Sequence, residues 1–209
     1  MVILTVMFLV LLLLVLCFLF YKFVFLRDPK RNVPPGNNIV APADGRIIKI
    51  LKLNKINGIE VRKGLVGKIR ALVPINCKEG YLITIMMNLF DVHVQRSPVG
   101  GVVLNIKHYD GRFNNAVYGD KFENGLVNEK NEITIKNDEI GRINVVQIAG
   151  FVARRIECFV KEKQKINKGQ KLGRIIMGSQ VSLILPKKVK LQVKAGDKVK
   201  AGESILGVY

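Results

Sequence analysis

The sequence predicts a mainly β domain of barrel or sandwich type, with lipoyl-like hairpin elements and few short helices, preceded by one transmembrane helix. Three observations lead there. Met1 to Tyr21 form an uncharged, almost wholly apolar run. From Ile39 onward the apolar residues come in short Ile- and Val-rich bursts punctuated by Gly, Asn and Asp, the pattern of strands and turns. No later stretch keeps a helical period over three turns, although Val66–Ala71 and Phe151–Cys158 are weak helix candidates.

The N-terminal run has Thr5 as its one clearly polar residue, and its first charge is Lys22. At about 1.5 Å of rise per residue such a run crosses a hydrocarbon core about 30 Å thick. A cleaved signal would carry a basic start, a shorter apolar stretch and a small-residue cleavage site, and none is seen. Lys22, Arg27, Lys30 and Arg31 follow the run directly, so the positive-inside rule predicts a single-pass cell-membrane protein with its domain in the cytoplasm. The expected organisation is an anchor over residues 1–26, a linker over 27–38 broken by Pro29, Pro34, Pro35 and Gly36, and one domain over 39–209.

Within the domain, strands are expected at Gly45–Leu53, Ile59–Val61, Tyr81–Met87, Gly101–Ile106, Glu132–Lys136, Arg142–Gln147, Lys171–Ile176, Val181–Leu185 and Lys188–Val193. Near the end the phrase Lys194-Ala195-Gly196-Asp197-Lys198-Val199 is echoed by Lys200-Ala201-Gly202-Glu203-Ser204-Ile205 and, more weakly, by Asn167–Gly173. Tight glycine turns between short strands are a common way to build a lipoyl-like barrel sandwich.

Lys and Arg number 34 against 16 Asp and Glu, a net charge of +18. Such a field draws polyanions, and beside an anchor the expected partner is an anionic membrane surface. No nucleic-acid-binding signature accompanies it, so no nucleic-acid partner is expected. The three cysteines, Cys17, Cys77 and Cys158, form no CxxC pair, and no Cys/His cluster has zinc-ligand spacing, so no metal is expected.

Few residues are left to carry chemistry. There are two histidines and four serines. His93 follows an apolar strand in Asp91-Val92-His93-Val94-Gln95-Arg96-Ser97-Pro98, whereas His108 sits in a polar stretch read as a loop. Ser179 is the only serine preceded by glycine, and no GxSxG elbow surrounds it. Asp44 lies in Ala41-Pro42-Ala43-Asp44-Gly45, which alone reads as an Asp-Gly turn.

In order, Ala-Pro-Ala-Asp-Gly, Asp-Val-His-Val-Gln-Arg-Ser-Pro-Val-Gly-Gly and Met-Gly-Ser-Gln-Val-Ser-Leu-Ile-Leu-Pro resemble the three signature segments of the phosphatidylserine decarboxylase family in its short form. Phe25–Arg31 is similar to that family's juxtamembrane segment. Each motif is weak alone, and the combination and order are specific. The resemblance runs from the anchor to beyond Pro186 and leaves open an archaetidylserine decarboxylase.

The resemblance implies a proenzyme that cuts itself between Gly178 and Ser179. Ser179 becomes a covalent pyruvoyl cofactor that forms a Schiff base with a phosphoserine-headgroup lipid and releases carbon dioxide, leaving the ethanolamine lipid. The partners would then be the lipid substrate and the two pieces of one precursor, a β chain of residues 1–178 and an α chain of 179–209. A homo-oligomer is left open.

A serine hydroxyl needs a nearby base. In this reading His93 is the base and later the proton donor, and Asp44 orients it. Longer family members carry a second histidine where this chain has Arg96. Arg96 is a candidate to hold a substrate phosphate or carboxylate. Two other classes compete: a membrane-anchored lipoyl-like adaptor without catalysis, and a Ser-His-Asp hydrolase. The first lacks the expected coiled coil, and the second lacks an elbow around Ser179.

Overall fold

The computed structural model describes residues 2–54, 59–62, 68–71, 79–109, 129–149, 155–176 and 179–209. Helix α1 (Val2–Leu19) continues into a π-helical segment, Phe20–Phe25. Then come β1 (Asn38–Val40), β2 (Gly45–Asn54), β3 (Ile59–Arg62), β4 (Lys68–Ala71), β5 (Glu79–Met87), β6 (Val94–Arg96), β7 (Gly101–Tyr109) and β8 (Lys130–Asn137). The second half holds β9 (Gly141–Ala149), β10 (Arg155–Cys158), β11 (Lys165–Ile166), β12 (Lys171–Ile176), β13 (Ser179–Pro186), β14 (Lys190–Leu191), β15 (Lys198–Val199) and β16 (Ile205–Val208).

Eight strands form one antiparallel sheet in the order β11-β7-β8-β9-β13-β5-β2-β15, curled as a half-barrel. Two three-stranded sheets, β10-β12-β6 and β1-β16-β14, accompany it, and β3 pairs with β4. The period of two along a strand decides which side chains go where. Val181, Leu183 and Leu185 of β13 enter the main core with Ile47, Ile83 and Ile85, and with Leu172 and Ile175 of the smaller sheet. Ile184, between them, enters a second cluster with Leu53, Leu82, Val146 and Ile148. The central strands are thus apolar on both faces, which is why their sequences read as near-continuous runs. Each fully buried Leu or Ile contributes roughly 1.5–3 kcal/mol.

Among the described residues there is no helix after Phe25. The two weak helix candidates are strands where they are described, β4 and β10. β10 pairs with β12 along its length, and that partner, absent from any local pattern, overrides a weak helical period. His108 is likewise a strand residue of β7, opposite Asn131, and lies 3.5 Å from the Glu129 carboxylate.

The C-terminal echo folds back onto the Ala-Pro-Ala-Asp-Gly segment. Val199 pairs with Gly45, the Ala41 N–H donates to Ser204 O at 2.8 Å, and the Gly202 N–H donates to Ala41 O at 2.8 Å. Gly196 and Gly202 turn at φ of +98° and +76°, a region other residues enter at a cost.

The segment from Arg27 to Asn38 lies along the domain as a strap. Asp28 pairs with Arg96 at 2.6 Å and with Lys171. The Asn32 N–H donates to Glu203 Oε1 at 3.1 Å, and the Val33 side chain covers the Gly169 backbone.

Candidate active site

His93 sits between β5 and β6, fully buried at 0% exposure. Its Nδ1 is 2.8 Å from the Asp91 carbonyl oxygen. A carbonyl oxygen can only accept, so Nδ1 carries the proton and Nε2 keeps its lone pair. Among the described residues that Nε2 is buried and has no hydrogen-bond partner. Burial holds the imidazole pKa below its ordinary value, against the Asp91 hydrogen bond and the Asp91 and Asp44 charges, with Arg27 lowering it further. A neutral ring with an unspent acceptor, shielded from water, is what a general base requires.

The backbone of His93 is fixed by a line of buried amides. Asn131 Nδ2 donates to Gln147 Oε1 at 2.9 Å, Gln147 Nε2 to Gln95 Oε1 at 2.8 Å, and Gln95 Nε2 to His93 O at 2.8 Å. This line joins β8 and β9 of the large sheet to β6 of the small one. Gly173 makes room for it, because a Cβ there would lie 2.7 Å from Gln147 Nε2. Gln95 Nε2 also lies 3.8 Å from Met87 Sδ, and Met87 is the cross-strand partner of Ser179.

Ser179 opens β13, with its backbone between Met87 of β5 and Ala149 of β9. Gly178, the other half of the expected cleavage pair, lies outside the described residues. The strand leading to the pair, β12, passes His93 closely: the Ile175 N–H donates to His93 O at 3.2 Å. Sheet pairing thus brings the backbones around His93 and Ser179 into one neighbourhood, far apart as they are in sequence.

Asp44 is placed differently from the expectation. Its carboxylate is buried, bonded by the Ala201 N–H at 2.7 Å and by Arg31 Nη2 at 2.9–3.0 Å. It makes no hydrogen bond to His93, whose Nδ1 is already held by Asp91 O. Asp44 reaches His93 only through its field, which raises the imidazole pKa slightly. Arg96 is also committed: Nη1 donates to Gly169 O at 3.0 Å, and Nη2 to Asp28 at 2.6 Å and Pro29 O at 3.4 Å. These bonds clamp the strap to the domain, and the idea that Arg96 holds a substrate group gains no support from them.

Phe25 was missed as a site residue by sequence reasoning. Its ring, 2% exposed, lies 4.0 Å from the His93 ring, centroid to centroid, at 32°. The last turn of the N-terminal apolar helix therefore roofs the imidazole. The amides of Gln95, Gln147 and Asn131 were also missed. The spacing of two between His93, just before β6, and Gln95 within it was the available signal. Among the described residues no group of His, Cys, Asp and Glu could hold a metal ion.

With this geometry in hand, comparison with known proteins is decisive. The model of the family described as phosphatidylserine decarboxylase matches residues 19–207. The chain belongs to the phosphatidylserine decarboxylase family. Relatives agree along most of their length. A protein of Methanocaldococcus jannaschii, provisionally named an archaetidylserine decarboxylase proenzyme, is 41% identical over 91% of this chain and 90% of its own. A similarly named protein of Methanothermobacter thermautotrophicus is 42% identical over 88% and 79%. A phosphatidylserine decarboxylase proenzyme of Syntrophus aciditrophicus is 36% identical over 88% and 78%. Membership covers the strap, the sheets and the C-terminal echo together, so the echo belongs to this family's domain and the adaptor reading falls away.

Proposed function

We propose that this chain is a self-processing, membrane-anchored decarboxylase of phosphoserine-headgroup lipids. The observation that carries the reading is the Nε2 of His93, a buried lone pair without a partner among the described residues, in a chain of this family. A buried acceptor left unpaired costs about 1–3 kcal/mol, so its retention calls for a use.

In maturation, His93 Nε2 takes the proton of the Ser179 hydroxyl as the oxygen attacks the Gly178 carbonyl. The amide becomes an ester. Loss of a Cα proton from residue 179 expels the Gly178 carboxylate and leaves a dehydroalanine. One water then replaces its nitrogen, which departs as ammonia, and the α chain begins with a pyruvoyl group. That group supplies an electron-accepting ketone at position 179, at the start of β13. His93 balances the protons there: in maturation the proton taken from Ser179 passes to the departing nitrogen, and in each turnover the histidine takes one from the substrate ammonium and returns it to the substrate carbon that loses carbon dioxide. Asn131, Gln147 and Gln95 keep the His93 backbone fixed, and Phe25 keeps water from the ring. Asp44 acts at a distance, its charge favouring the transient imidazolium.

The substrate class follows from the relatives' names, which share the phosphoserine headgroup and differ in the lipid backbone. The anchor suits that substrate. Val2–Phe25 is a continuous apolar helix of 24 residues, and the basic residues after it orient the domain to the cytoplasm. The test is carbon dioxide release from vesicles carrying phosphatidylserine or archaetidylserine. The wild-type chain should release it from at least one of them, and Ser179→Ala from neither. Release by Ser179→Ala at the wild-type rate would refute the reading.

A further inference from the structure

The turn between β5 and His93 has an unusual division of polarity. Its backbone and polar side chains satisfy one another: the Asn88 N–H donates to Asp91 Oδ2 at 2.8 Å, the Phe90 N–H to Asn88 Oδ1 at 2.8 Å, and the Asp91 N–H to Asn88 O at 3.2 Å. The Phe90 carbonyl accepts from Arg27. What the turn shows to its surroundings is apolar, Leu89 at 48% and Phe90 at 68% exposure. Two adjacent large apolar side chains at an exposed tip are costly in water. With the Phe90 N–H and C=O already hydrogen-bonded, its entry into an apolar medium adds little penalty.

The depth of this tip is set by the anchor. The Phe90 ring meets the Phe20 ring edge-on with centroids 5.7 Å apart. Phe20 precedes Lys22, the first charge of the chain, so the contact lies on the apolar side of the charged belt. Arg27, beyond that belt, reaches back to bind both Val24 O and Phe90 O, tying turn and anchor together. A bilayer that holds the anchor must therefore meet the turn as well.

We propose that Leu89 and Phe90 form a second membrane contact, inserted at the boundary between headgroups and acyl chains in the leaflet where the anchor ends. The occupant is lipid. The contact lies on the loop that carries His93. If the decarboxylase reading holds, it sets the height of the reactive histidine relative to the headgroups, so a lipid is processed without leaving its leaflet. The insertion itself rests on the anchor and the turn, and it can be tested without any measurement of activity.

The chain contains no tryptophan and five tyrosines, so Phe90→Trp in the full-length protein is a sole tryptophan, read by red-edge excitation that leaves tyrosine dark. The protein is reconstituted in vesicles of phosphatidylcholine and phosphatidylglycerol, with the phosphatidylcholine brominated near the carboxyl end of its acyl chains or left unbrominated. Leu89→Trp is a second reporter should the first fold poorly, and Phe18→Trp within the anchor calibrates quenching. Emission at Phe90→Trp should be blue-shifted and fall by about half with brominated lipid, as for an indole at the membrane interface. Emission typical of water and indifferent to bromine would overturn the proposal. So would blue-shifted emission without quenching, which would mean that protein, for instance a second copy of the chain, covers the turn.

Discussion

Asp44 and His93 are both buried polar groups from signature segments, and the structure treats them in opposite ways. Around Asp44 each carboxylate oxygen has a partner, from Arg31 and from the Ala201 N–H, and these bonds tie the strap and the C-terminal echo to the start of β2. Around His93 one nitrogen is held and the other, among the described residues, is left with its lone pair, under the ring of Phe25. A buried group with all its partners holds structure together. A buried imidazole nitrogen with its lone pair unspent can take a proton, which the equally unpartnered Arg31 Nε and Gln180 amide cannot. On the proposed function the difference fits Asp44 to assembly and His93 to chemistry, although both come from motifs with the same family resemblance.

The largest test of that contrast is His93→Ala. It removes the base while leaving a cavity that Phe25 lines, and it should stop maturation, so the purified chain runs as one uncut band on a denaturing gel. Normal maturation in this variant would take away the role given to His93. Asp44→Asn comes next. It keeps the shape but breaks a buried ion pair, which costs about 3–5 kcal/mol when one partner is removed. The expected result is a lowered thermal midpoint with maturation slowed but complete in time. A block as total as that of His93→Ala would place Asp44 in the proton relay and end the contrast.

How much of this was legible in the sequence depends on where the information lies. β2, β5, β9 and β13 were readable because their cores are Ile- and Val-rich and buried in the middle of the sheet. β1, β6, β11 and β15 were not, because two or three residues carry no period and exist as strands only through their partners, whereas β14 lies inside the strand expected at Lys188–Val193. The strap read as a linker because prolines break helices. What pins it, Asp28 on Arg96 and Arg31 on Asp44, consists of pairings between residues far apart in the chain. His93 and Ser179 were found through motif order, but Gln95, Gln147 and Asn131 are ordinary amides until folding lines them up. Asp44 next to His93 was the natural expectation from motif logic. It fails on hydrogen bonds, because Arg31 and Ala201 N–H are nearer, and neither lies in a motif that announces the contact.

A smaller effect sharpens the contrast through pH. The His93 pKa lies below 6.5, chiefly through burial. As pH falls below 6.5 the unfolded chain takes up this proton and the folded one does not, so this histidine's share of stability declines until the lowered folded value is passed. The base stays neutral in the same window. The rate of maturation, followed by gel in an inactive precursor released from denaturant, should therefore hold on moving from neutral pH through 6.5 and drop only further into acid. A fall centred at or above 6.5 would mean that the ring is wet or paired with a charge.

The central claim is that His93 serves the conversion of Ser179 into the cofactor, and intact-mass spectrometry of the purified full-length protein reads it most directly. Two polypeptides are expected, residues 1–178 and 179–209, the second lighter by one ammonia than its sequence and blocked to Edman degradation. A single uncut chain in a preparation that releases carbon dioxide from phosphoserine lipid would contradict it.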